Sequence, residues 1–302
     1  MKNSLRLILA LLAAALTADA KLTVVATLPD FGDLAQRIGG DAVTVTSLVK
    51  SGEDPHFIVP KPSYIRTLNK ADLLIEGGAD LESGWLPPLV AGARNAKIMP
   101  GSPGRLSLAN CVELIEVTSG PVDRSAGDVH PKGNPHFWLA PANGKRIAAA
   151  LAATFTQLAP ADADGFKQRL AAFTAELDAK SAAWTEALQP FAGTKVVTYH
   201  KSFDYLLRHF GFTLAGTIEP KPGIEPSAAH IASLTASMKS QGVKLILTEA
   251  YRPRKTAEQL AAVTGARLVV LPDKSGEAPA SDYLRLFETQ VNELTKALKP
   301  AP

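Results

Sequence analysis

The chain carries a single cysteine, Cys111, among 302 residues, which excludes an internal disulfide. Cys111 also lies far from any signal-cleavage site, so it is no lipid anchor; it reads as a small apolar residue near a strand. Charge of one sign is nowhere concentrated: 32 Lys and Arg are mixed with 29 Asp and Glu, for a formal net charge of +3. Without a basic block or an aromatic-basic stripe, nucleic acid is not an expected partner. Beyond residue 20 no stretch approaches the roughly 18 apolar residues of a membrane helix, so the mature chain is expected to be soluble. HExxH and GxSxG are also missing, which removes the usual sequence marks of zinc proteases and serine hydrolases. No internal repeat or low-complexity segment is evident.

What is present begins at the N-terminus. Lys2 and Arg6 precede an apolar run from Leu7 to Leu16, and Ala18-Asp19-Ala20 has the small-x-small form of a signal-peptidase site. Residues 1–20 are therefore expected to be a cleaved signal peptide. The mature protein would start at Lys21 and be periplasmic, without a lipid anchor. A composition 46% hydrophobic and 20% charged suits a globular chain of one or two domains.

In the first half, short apolar runs alternate with helical patterns. Strands are predicted at Lys21–Thr27, Val43–Val49 and Asp72–Glu76, with a fourth at Glu113–Val117; helices are predicted from about Asp30 to Gly39 and over Ser63–Ala71. The middle, Ala142–Leu158 and Ala161–Leu188, is rich in helix formers. At 1.5 Å per residue the second of these would be about 42 Å long, enough to connect two lobes. The βα rhythm then resumes with strands at Lys195–Tyr199, Phe212–Thr217, Val243–Thr248 and Arg267–Leu271, and helices at Ser202–Phe210, Pro226–Ser240, Pro253–Thr264 and from Asp282 to Leu298. Strands alternating with helices imply parallel sheets. The expected architecture is α/β: a lobe over 21–158, a connector over 159–193 and a second lobe over 194–302.

Three of the six histidines sit where a strand hands over to a loop. His200 directly follows Lys195–Tyr199; His56 closes the turn Asp54-Pro55-His56 beyond the second strand; His136 ends Asn134-Pro135-His136. Proline fixes the backbone and Asp or Asn bonds the turn, so each loop aims an imidazole. Asp273 follows the strand ending at Leu271, and ligands of open α/β sheets bind beyond such carboxyl ends. Three imidazoles and a carboxylate suit a tetrahedral zinc shell. Each residue alone reads more readily as structural: a histidine bonded to a carbonyl, or an aspartate capping a turn. Only the coincidence of four raises the metal reading. His209 and His230 fall within amphipathic helices as structural or solvated groups. His130, in the polar loop Asp123–Gly133, is expected to lie exposed or to assist metal capture weakly, outside the core ligand set.

The segments Ser51–His56, Asn134-Pro135-His136-Phe137-Trp138-Leu139-Ala140-Pro141, Val197–His200 and Gly223-Ile224-Glu225-Pro226-Ser227, with the Asp273 segment in the same order, resemble the zinc- and manganese-binding solute receptors of bacterial ABC importers. The resemblance covers essentially the whole mature chain. It implies two α/β lobes joined by one long helix, with the metal in the cleft between them, held by His56, His136, His200 and Asp273. Histidine at the third position marks the zinc branch, where manganese receptors tend to carry a carboxylate. Imidazole suits zinc, with copper not excluded by donor type. The implied partner is an ABC permease, the protein is expected to be a monomer, and it is not an enzyme. Many zinc receptors of this kind carry a long His- and Asp-rich loop before the second motif. Here residues 120–133 hold one histidine, His130, which suggests metal supplied by a periplasmic metallochaperone. The rival reading is a zinc hydrolase with a three-histidine site and Asp273 or Glu249 as base. A metal-independent adhesin is the third.

Overall fold

The computed structural model describes residues 21–117 and 130–299, so the expected signal peptide lies outside the described residues. The first sheet contains β1 (Leu22–Ala26), β2 (Val43–Ser47), β3 (Leu73–Glu76) and β4 (Arg105–Ser107), in the order β2-β1-β3-β4 and parallel throughout. Its helices are α1 (Pro29–Gly39), α2 (Pro62–Asn69) and α3 (Leu86–Ala93). After α4 (Pro141–Leu158) and α5 (Ala163–Leu188) comes a second parallel sheet of β5 (Lys195–Thr198), β6 (Thr213–Thr217), β7 (Leu245–Thr248) and β8 (Arg267–Val270), ordered β6-β5-β7-β8. Its helices are α6 (Asp204–His209), α7 (Ala228–Gln241), α8 (Arg254–Thr264) and α9 (Tyr283–Leu298). The expected fold class, two α/β lobes with parallel sheets and one long helix between them in sequence, is borne out. Among the described residues no helix is long and apolar enough to cross a membrane.

Two expectations fail locally. Residues 113–117 form no strand, because Glu116 has a left-handed backbone, φ 59°, which ends any extended run there. The fourth strand is Arg105–Ser107 instead, tied to β3 by the Arg105–Glu76 ion pair at 2.7 Å. Three residues are too few to display a period of two. The helix α3 escapes detection because Leu86-Pro87-Pro88 looks like a breaker, although proline in a first turn forfeits no helical hydrogen bond.

Alternation along the second sheet sets how the lobes are joined. Val196, Leu245 and Leu247 face a core that runs through α1, α4, α5 and α9, whereas Val197 and Ile246 face a smaller cluster under α7 and α8. The larger core is continuous from the first lobe to the second. The C-terminal helix reinforces it: Asp282 pairs with Arg37 at 3.0 Å, and the Tyr283 hydroxyl donates to the Trp138 carbonyl at 2.7 Å. Gly144 of α4 lies under that tyrosine, and a Cβ there would come within 2.7 Å of the ring. Since Tyr283 is fully buried and its hydroxyl is bonded, Gly144→Ala is expected to lower stability by about 1–3 kcal/mol despite alanine's higher helix propensity. Urea unfolding measures this; an unchanged midpoint would mean that the ring yields freely.

Candidate metal centre

The local turns do what their composition requires. Asp54 accepts the His56 backbone N–H through Oδ1 at 3.0 Å, and the indole of Trp85 donates to the Pro55 carbonyl at 2.9 Å, fixing that loop. Asn134 accepts both the backbone N–H and the ring Nδ1–H of His136 at 3.0 Å. This leaves His136 Nε2 as the free lone pair. His200 emerges from the end of β5, and its Nδ1–H donates to Glu219 Oε2 at 2.7 Å, again leaving Nε2 outward.

The fold brings the three rings together. Ring centroids are separated by 5.1 Å (His56–His136), 5.4 Å (His56–His200) and 5.2 Å (His136–His200). One nitrogen from each lies within 4.8 Å of the others, and all three residues are buried. The Nε2 atoms of His56 and His136 are 3.1 Å apart. Two nitrogens bound to one zinc at 2.0–2.1 Å with a tetrahedral angle would be about 3.3 Å apart. The donor set therefore fits a single small cation.

Asp273 is buried but stands outside the group of three. Its Oδ2 accepts from Lys274 Nζ at 2.7 Å and from the Tyr251 hydroxyl at 3.0 Å, and its carbonyl accepts from the Trp138 indole at 2.7 Å. Neither base nominated for a hydrolase stands free to activate water. Asp273 is held by a lysine, and Glu249 accepts the Ser202 hydroxyl and faces Arg252 at 3.9 Å. His209 and His230 lie apart, on α6 and α7, and His230 bonds the Thr217 carbonyl at 3.0 Å.

Two supporting residues, Glu219 and Arg252, have no place in the reading from sequence. Glu219 orients His200, and Arg252 bonds Glu219 at 3.1 Å while reaching Asp54 of the other lobe at 3.3 Å. Arg252 thus links the loop of His56 to the partner of His200. His130 is half-buried rather than exposed, its ring centroid 5.0 Å from that of His56. The only sequence signal for Glu219 was a carboxylate just past the end of β6. For His130 it was proximity to the Asn134-Pro135-His136 motif.

Burial holds His56 and His136 well below the usual imidazole range, with the charges of neighbouring histidines and of Lys274 acting the same way. Both are therefore neutral at neutral pH. A folded-state pKa depressed in this way means that the unfolded chain takes up protons first, from about pH 6.5 downward. Each such histidine then removes stability as pH falls. Asp30 and Glu82, raised to about 7 by burial, act with the opposite sign, so the clean readout is a difference. Metal-free His136→Gln is expected to gain up to about 2 kcal/mol on the wild type between pH 6.5 and 5. Urea unfolding at both pH values tests this, and a constant difference would mean that His136 titrates normally in the fold.

Residues 24–297 match the family model described as zinc-uptake complex component A, periplasmic (ZnuA). The chain is 25% identical over 284 residues to the zinc-binding lipoprotein AdcA of Streptococcus pneumoniae, an overlap of 93% of this chain and 55% of that one. It is 27% identical over 247 residues to the manganese ABC transporter substrate-binding lipoprotein PsaA of Streptococcus pneumoniae, covering 79% of this chain and 76% of the relative. The chain thus spans about half the length of the AdcA proteins it matches. Among solved structures, ZnuA superposes with a TM-score of 0.78 at 27% identity over 93% of this chain and all of the other. A zinc-bound deletion mutant of ZnuA gives 0.78 at 26% identity over 94% of this chain and all of the other.

Proposed function

Because the chain belongs to the family of the periplasmic zinc-uptake component ZnuA, whose members are binding proteins and not enzymes, we propose that it captures Zn²⁺ between its lobes and delivers it to an ABC-type importer. The observation that carries the proposal is the buried triad His56, His136 and His200, one nitrogen of each within 4.8 Å of the others. The zinc is cargo, taken by three neutral imidazoles; the far nitrogens of His136 and His200 are held by Asn134 and Glu219, and the backbone of His56 is fixed by the Asp54 turn. Asp273 belongs to the same proposed set, on the condition that it gives up the Lys274 ammonium. A nitrogen-rich shell favours zinc over manganese, which prefers oxygen donors.

The units proposed to close on the ion are residues 21–158 and 194–302, with 159–193 as the strut. The continuous core and the Arg252–Asp54 contact across the cleft support a small closure rather than a wide swing. The permease would read that closure from the lobe surfaces. A periplasmic location is proposed on the family whose model the chain matches. A monomer supplied by a metallochaperone completes the reading.

Metal analysis of the mature protein after loading and desalting tests the core of it. The expected result is one zinc per chain, retained against an equal concentration of manganese. Preferential retention of manganese, or no tight metal at all, would overturn the proposal.

A further inference from the structure

For Asp273 to serve a metal ion, the Lys274 ammonium has to leave it, and a buried ammonium needs another counter-charge. We propose that Lys274 is an internal placeholder cation, held by Asp273 until a metal ion takes that carboxylate and then passed to Asp30, so that Lys274 and Asp30 together set the affinity of the site. The inference rests on the zinc-binding reading with Asp273 among the ligands, and concerns what that ligand exchanges.

The present place of the ammonium comes first. The Lys274 side chain is completely buried, its Nζ donates to Asp273 Oδ2 at 2.7 Å, and it lies 4.5 Å from the centre of the Tyr251 ring. The Tyr251 hydroxyl donates to the same oxygen at 3.0 Å. The lysine's charge also reaches His56 and His136 and disfavours their protonation. A positive charge thus already holds the carboxylate and acts on two of the imidazoles that would take a dication. The two cations repel each other and compete for one counter-ion.

The destination is Asp30, in the first turn of α1 and fully buried. Its Oδ1 accepts the Ser275 backbone N–H at 3.0 Å, so this carboxylate of the first lobe already grips the loop that carries Asp273 and Lys274. Its Oδ2 is buried without a well-formed hydrogen bond, and so is the Oγ of Ser275. Buried acceptors left unpaired are costly, and an ammonium offers three donors. Lys274 is also the cation whose charge acts on Asp30. The loop is closely seated: a Cβ at Gly276 would come within 3.2 Å of Pro29, the residue before Asp30. The transfer therefore asks for a new rotamer of a flexible four-carbon chain, with its loop already docked.

The exchange has two consequences. An ammonium released without Asp30 would be buried and unpaired, the most unfavourable way to break such a pair. The ion pair also changes its span. Asp273 and Lys274 are neighbours within the second lobe, whereas Asp30 and Lys274 belong to different lobes, so loading converts a local pair into a tie between lobes. Lys274 keeps its proton throughout.

The test is zinc affinity by chelator competition at pH 8, above the value of about 7 to which burial raises Asp30. Wild type, Lys274→Met, Asp30→Asn and the double variant are compared, with circular dichroism of each metal-free protein to establish its fold. Lys274→Met is expected to bind zinc about tenfold more tightly and Asp30→Asn about tenfold more weakly. In the Lys274→Met background, Asp30→Asn should change affinity by less than about twofold, because no ammonium is left to receive. A merely structural role for either residue would not produce opposite signs that cancel in this way. Unchanged or weaker binding by folded Lys274→Met would overturn the inference, as would an equal loss from Asp30→Asn with and without Lys274. Should Lys274→Met fail to fold, Lys274→Gln, which can still donate to Asp273, takes its place with the same expectation. His136→Ala run alongside separates the two levels: tight zinc in that variant defeats the three-histidine site itself, whereas its loss with unchanged affinity in Lys274→Met defeats only the exchange.

Discussion

Replacing His136 by alanine is expected to weaken zinc binding by about 100-fold. Structural zinc binding is worth about 10–16 kcal/mol across four ligands, or about 3 kcal/mol for each, and 1.4 kcal/mol is a factor of ten. His136 is the member of the triad with the least slack. Its Nδ1 is held by Asn134, its Nε2 faces that of His56 at 3.1 Å, and its ring packs 5.3 Å from Trp138. Only 1% of the residue is exposed, so its truncation leaves a buried cavity where the donor stood. Competition with a chromophoric chelator at pH 7.5 measures the loss. Circular dichroism of the metal-free variant distinguishes a lost ligand from a lost fold. Affinity within a few-fold of the wild type would show that the ion binds elsewhere.

The second large effect is expected at a residue that never touches the ion. Glu219→Ala should reduce zinc affinity by about 10–100-fold, the usual consequence of removing the carboxylate behind a metal-bound histidine. Burial works to raise the Glu219 pKa, but the hydrogen bond and charge of His200, the Arg252 guanidinium and the Gly223 N–H together bring it below the ordinary carboxylate value. The ionised carboxylate thus fixes the His200 tautomer and makes that imidazole a stronger donor. Glu219→Gln keeps an acceptor without the charge and should fall at the low end of the range. Arg252 would remain paired with Asp54 and stay close to Glu249, so the cleft should not come apart. Full affinity in Glu219→Ala would mean that His200 is oriented by packing alone.

These two effects differ in how far the sequence foretold them. His56, His136 and His200 were visible because each carries a local signal, a strand end or an Asx-Pro turn, written within a few neighbouring residues. The strands β1, β3, β5 and β7 were visible for the same reason, as apolar runs bounded by turn residues. Glu219 has only its place just past β6, and Arg252 carries no such signal. The distance of 3.3 Å from Arg252 to Asp54 joins segments far apart in the chain, and nothing near either residue announces the other. The mistaken strand at 113–117 shows the converse. A local pattern of apolar residues there was overruled by a left-handed turn at Glu116, whose neighbour Ile115 bonds Asn134 through the backbone and meets the Tyr205 hydroxyl.

By itself, then, the sequence determined the class of fold, the parallel sheets, the long helix between the lobes and the three aimed imidazoles. All of these follow from periodicity, propensity and turn chemistry acting over short stretches of chain. Only the tertiary structure decided that Lys274 holds the carboxylate of Asp273, that Glu219 and Arg252 stand behind His200, and that the His130 ring centroid comes to within 5.0 Å of that of His56. Those facts depend on which loops meet across the cleft and which polar atoms are left unpaired when they do. Electrostatics and desolvation settle that in space, and spacing along the chain does not encode it.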